Sequence, residues 1–183
     1  SHWVPARIDL DTALSKIDSR IVEDMLVVKG PYSVLFGPGL NFIHVDLLPS
    51  PRYEGPMQLH GATSMDYQHN GGQWYGRQTL LAGASNWGVR ASYGHRTGED
   101  YLTGGGTRTP ASYNSRDVDL AVGVDITDTS SVEFNAIRLD QTDVEYPGQA
   151  FDMDYLVTDG YNPAYEVTDQ GLFDRLVVDV WYN

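Results

Sequence analysis

Beyond Pro56 the chain changes character with every residue. Met57, Leu59, Gly61, Thr63, Met65 and Tyr67 fall on one face of an extended segment, and Gln58, His60, Ala62, Ser64, Asp66 and Gln68 fall on the other. A repeat of two is the period of a β-strand whose faces meet different surroundings. Asn70-Gly71-Gly72 follows, with residues that accept the positive φ of a hairpin turn. Gln73 to Ala84 reads as a second strand and Ser85-Asn86 as a tight return. The third strand sets Trp87, Val89, Ala91 and Tyr93 against Gly88, Arg90, Ser92, Gly94 and Arg96. A glycine-rich loop is expected from Thr97 to Asn114. The fourth strand sends Val118, Leu120, Val122, Val124 and Ile126 one way, and Asp117, Asp119, Ala121, Gly123 and Asp125 the other. Thr127-Asp128-Thr129-Ser130 turns into a fifth strand, Ser131 to about Leu139. A long loop over residues 140–171 and a sixth strand, Phe173 to Tyr182, complete this half.

The first 48 residues follow another pattern. Asp11 to Asp18 predicts one or two turns of helix, with Asp9 or Asp11 as N-cap. Ile21 to Val28 and Leu40 to Leu48 read as strands, so residues 1–48 form a small α/β piece. Pro49-Ser50-Pro51 and Gly55-Pro56 bracket a linker over residues 49–56, because proline disfavours helix and donates no ladder hydrogen bond.

Two properties of the second half indicate its class. The strands run to about 9–12 residues, the length that crosses a bilayer when tilted, whereas soluble strands average about 5–6. Short returns at Ser85 and Asp128 alternate with longer connections at the opposite end, as in outer-membrane barrels. The fourth strand also carries Asp117, Asp119 and Asp125 on one face. Unpaired carboxylates in a sealed core are prohibitive, whereas a wet lumen suits them. Six strands do not close such a barrel, so residues 57–183 are expected to be its first part.

Composition removes several classes. No stretch offers the roughly 20 apolar residues of a membrane helix, which leaves strand-built barrels untouched. There is no cysteine, hence no disulfide framework or thiol chemistry. A net charge of -13 argues against nucleic acid, which is bound by clustered Lys and Arg.

Glu23 to Gly37, EDMLVVKGPYSVLFG, carries the one recognisable motif. Met25 to Val28 is an apolar run, Lys29-Gly30-Pro31 stops it, and Tyr32 to Phe36 ends at Gly37-Pro38-Gly39. This run resembles the end of the plug domain in TonB-dependent outer-membrane receptors: a strand, Lys/Arg-Gly-Pro, a few small residues and a Leu-Tyr/Phe-Gly turn. Glu23, Lys29, Gly30, Pro31, Leu35, Phe36 and Gly37 occupy the matching positions. Leu26 stands where a second glutamate is usual, and His44 replaces an asparagine in the following strand. The resemblance implies a mainly β chain: part of a small α/β plug domain followed by the first antiparallel strands of a large transmembrane β-barrel, with the 22-stranded plugged transporters as the whole. It further implies import of a scarce solute (siderophore-iron, cobalamin or glycan), the TonB energy-transducing complex and outer-membrane lipid as partners, and the bacterial outer membrane as location. It implies no catalysis and no cofactor.

Other chemistry is thinly signalled. The stretch 140–171 combines acids with aromatics and holds no Lys or Arg. Tyr146, Asp152, Asp154, Tyr155, Asp159 and Tyr161 are candidates to face a ligand, with Asp152, Asp154 and Asp159 as oxygen donors for calcium. The spacing is not that of an EF-hand, and a solvated surface loop accounts for the same residues. His2, His44, His60, His69 and His95 lack paired ligand spacing, and His60 is expected to face the lumen. Gly104-Gly105-Gly106 lacks the Lys-Ser/Thr of a phosphate loop. Lys29 belongs to the Gly-Pro corner. Tyr75, Trp87, Tyr93, Trp181 and Tyr182 fall near strand ends, where girdle aromatics meet the membrane interface. The competing readings are a soluble β-sandwich carbohydrate-binding module using the aromatic loop, and a β-rich hydrolase using an acid pair within it.

Overall fold

The computed structural model describes residues 17–31, 41–169 and 171–182. The described chain is mainly β and divides into two compact units, the boundary falling between Pro49 and Ser50.

The smaller unit opens on a single 3₁₀ turn, Ser19–Ile21, capped by the Asp18 carboxylate, which accepts from the Arg20 amide at 2.9 Å. Residues 11–16 of the expected helix lie outside the described residues. Strands β1 (Val22–Lys29) and β2 (Asn41–Leu47) pair antiparallel from Val22–Leu47 to Lys29–Asn41, with the register shifting at Glu23. β1 ends at Gly30, whose φ of +83° favours glycine.

The larger unit is built on one seven-stranded antiparallel sheet in chain order: β3 (Gln58–Gln68), β4 (Gln73–Ala84), β5 (Trp87–Gly98), β8 (Tyr113–Thr127), β9 (Ser130–Val144), β10 (Met153–Thr168) and β11 (Arg175–Asp179). Between β5 and β8 a small hairpin, β6 (Tyr101–Leu102) with β7 (Arg108–Thr109), turns through the three glycines.

The sheet has seven strands where the alternation predicts six. The expected loop 140–171 is mostly strand: β9 continues to Val144, residues 145–152 turn, and β10 runs for 16 residues. Gly160 and Pro163 disguise it as loop. Pro163 costs little because it sits at an irregular edge, between the Ala164–Asp179 pair and the isolated Tyr161–Tyr182 bridge. The expected sixth strand is therefore the seventh, shortened to Arg175–Asp179.

Burial along β8 is the reverse of a soluble sheet. Asp117 and Asp119 are 3% and 1% exposed, while Val118 is 48% and Ile126 60% exposed. Register carries the apolar face across neighbouring strands in rows: Leu80, Ala91, Leu120 and Ala136; Ala82, Val89, Val122 and Phe134; Ala84, Trp87, Val124 and Val132. Apolar residues on the exposed face and charges on the buried one define a sheet whose solvent preference is inverted.

Candidate functional site: the polar face of the sheet

Sequence alternation puts Arg77, Arg90, Ser92, Asp117 and Asp119 on the same face, and register brings them together. Arg77 on β4, Gly94 on β5 and Asp117 on β8 share one cross-strand row. Because Gly94 has no side chain, the Arg77 guanidinium crosses β5 and pairs with Asp117. One row along, Asp119 accepts from Arg90, from Ser92 Oγ and from Arg77 Nη1, the last at 3.2 Å. Arg77 Nη1 also donates to Ser92 Oγ at 2.6 Å, and its Nε to the Tyr75 hydroxyl at 3.2 Å. Two cations and two anions thus neutralise one another. The aspartates tolerate burial through these pairs, which corrects the wet lumen expected around them: both carboxylates are buried beside guanidinium groups. The sequence signal was present in Arg77 and Arg90, each at the right parity. What was missing was the register that seats them opposite the aspartates.

Arg96 lies two residues beyond Gly94 on the same face, in a row with Tyr75 and Ser115. Its Nε and Nη2 are buried and make no hydrogen bond among the described residues. His60, on this face as expected, hydrogen-bonds Gln58 and stacks obliquely on Tyr53 at 4.8 Å.

Toward the short-turn end the same face carries a second arrangement. Gly83, Gly88 and Gly123 lie side by side on β4, β5 and β8, and Glu133 on β9 ends the row. Residues 50–53 lie in this trough. A Cβ on Gly88 would fall on the Pro51 carbonyl oxygen, and one on Gly123 would strike Ser50 and Glu133. Ser50 donates to Glu133 twice, through its amide and its hydroxyl, both at 2.7 Å. Arg52 forks onto Asp125 at 2.9 and 3.1 Å, and the Tyr53 amide donates to the Ala84 carbonyl at 3.1 Å.

At the other end the three connections are tied in series. The Glu99 amide donates to Gly71, the Asn70 amide group exchanges two bonds with the Leu102 backbone, and Ser112 exchanges two with Glu145. Arg108 holds Asp100 at 2.8 Å.

The residues singled out from sequence disperse. Glu23 and Lys29 are exposed on β1, followed by Gly30 and Pro31, while Leu35, Phe36 and Gly37 lie outside the described residues. Tyr146 and Asp152 sit in the turn before β10, where the Tyr146 amide donates to the Asp152 carboxylate. Asp154, Tyr155, Asp159 and Tyr161 belong to β10 rather than to a loop. Tyr155, Asp159 and Tyr161 share the apolar face, where Asp159 pairs with Arg138, and alternation turns Asp154 to the opposite side. They do not converge, and among the described residues no three His, Asp or Glu side chains gather as a metal site. Of the expected girdle aromatics, Tyr75 is corrected to the polar face. Trp87 and Tyr93 stay on the apolar one, and Tyr182 stacks on Tyr161.

The larger unit is a meander with buried charges on one face, apolar rows on the other and turns that differ by end. Among solved structures the chain is similar to one described as "Copper transporter OprC", with a TM-score of 0.79 and 21% identity over 91% of this chain. The chain spans 25% of that protein's length, and the likeness is one of fold. No family model and no curated protein matches the sequence.

Proposed function

We propose that the chain is part of a TonB-dependent receptor of the bacterial outer membrane, in which residues 1–48 belong to the plug and the seven-stranded sheet to the barrel wall. The observation that carries this reading is the inverted burial of β8, with aspartates inside and valines outside. From Val118 to Ile126 the exposed apolar stretch runs about 27 Å along the strand. At the usual tilt that is about 20 Å of height, near the ~25 Å apolar band of such barrels. The Arg138–Asp159 pair in the row of Tyr93 and Val118 marks its upper limit. The Lys29-Gly30-Pro31 run and the likeness to a transporter support the same assignment.

In this role the protein is a non-catalytic importer of a scarce solute, of the siderophore-iron, cobalamin or glycan class, energised through TonB. The soluble sandwich is disfavoured by the same strand, since its buried face would be the apolar one. Fractionation of source cells tests the assignment. The native protein is expected in the outer membrane, at a mass several times that of this chain, migrating differently on gels before and after boiling. A soluble product near 20 kDa overturns it.

A further inference from the structure

The segment joining the two units has almost no slack. The Leu48 amide is bound within the smaller unit, donating to the Ile21 carbonyl at 2.8 Å. The Ser50 amide is bound within the larger one, to Glu133 at 2.7 Å, and Ser50 is 6% exposed. Between these amides stands only Pro49, exposed and with no N–H to donate. Its ring fixes its own φ and confines Leu48 to extended conformations, so few torsions remain free.

Beyond Ser50 the chain is pinned three more times, by the Ser50 hydroxyl, the Arg52–Asp125 fork and the Tyr53 amide. The trough that receives it exists only because three adjacent strands place glycine in one row. A side chain on any of them would meet the strap or its anchors. Such a surface fits one partner, a backbone lying flat against the sheet, and its occupant is this chain's own segment.

We propose that residues 50–53 are a permanent strap on the sheet and that Pro49 is a one-residue joint. Force on the chain at Pro49 then bears on Glu133 and Asp125, beside the turn that links β8 to β9. The proposal rests on this geometry and stands whether or not the protein is a transporter.

Hydrogen exchange on the full-length protein in its native membrane tests it. The Leu48, Ser50 and Tyr53 amides are expected to exchange as slowly as those of β8. Gly88→Ala is expected to speed Ser50 and Tyr53 at least tenfold while β8 stays slow and the boiling-dependent gel shift persists. Glu133→Gln, which keeps the side chain's size, should speed Ser50 selectively and serves if Gly88→Ala fails to fold. Loop-like exchange at Ser50 and Tyr53 in the unaltered protein overturns the strap, as does protection that neither variant changes. Fast exchange at Leu48 in the unaltered protein overturns the joint, because the free segment would then be longer than Pro49.

Discussion

Asp119 shows how a single residue can be both costly and indispensable. It accepts from Arg77, Arg90 and Ser92 while almost wholly buried, so its removal takes away an anion that two buried guanidinium groups share. Asp119→Leu is therefore expected to destabilise the folded protein by about 3–5 kcal/mol, the usual cost of breaking a buried pair from one side. Urea unfolding in vesicles would measure it. Adding Arg90→Met to the same chain should recover part of the loss, whereas a carboxylate standing in water would give no loss and nothing to recover. At the exposed end, Asp100 is held below its ordinary pKa of 3.8, chiefly by the Arg108 hydrogen bond and then by the Ala111 amide. A depressed carboxylate contributes order that is complete above its unfolded pKa and is lost as pH falls through the folded one. Exchange at Ala111 is accordingly expected to stay slow through mildly acidic pH and to rise only below about 3.8.

Among the elements, β10 separates what the sequence makes legible from what it does not. One face of it reads Tyr155, Val157, Asp159, Tyr161, Pro163 and Tyr165 and ends at the buried Val167, a period-two pattern as regular as that of β8. Gly160, Pro163 and the acids masked it, because each is a loop signal when neighbours are unknown. The strand accommodates both signals: Asp159 meets Arg138, and Pro163, which has no N–H to give, uses its carbonyl to accept from the Val180 amide just past β11. Slow exchange across residues 153–168, matching β9, is the expected outcome; fast exchange there would restore the loop. Strands β3, β4, β5 and β8 were readable, and with them the two faces of β3, β5 and β8, because strict alternation leaves one register for the buried set. The ion network and the glycine trough were not, because both depend on which residue stands opposite which. Alternation assigns a face and leaves the partner open.

For the molecule as a whole, the apolar rows determine what surrounds it. Leu120→Arg, in the middle row band, is expected to cost about 2–4 kcal/mol in a bilayer, the range for a cation near the midplane of a barrel wall. Equilibrium unfolding in lipid vesicles would show it, and a much smaller cost would place this face in water. The order of the sheet has a further meaning. Seven antiparallel strands leave β3 and β11 at the two margins, and counting alternations shows that both run in the same direction. The two margins are thus mismatched in polarity and cannot be hydrogen-bonded to each other as antiparallel neighbours. Closure of an all-antiparallel cylinder on this sheet requires an odd number of additional strands. An isolated copy of the sheet would instead present two unpaired ladders, each a template for whatever strand arrives first.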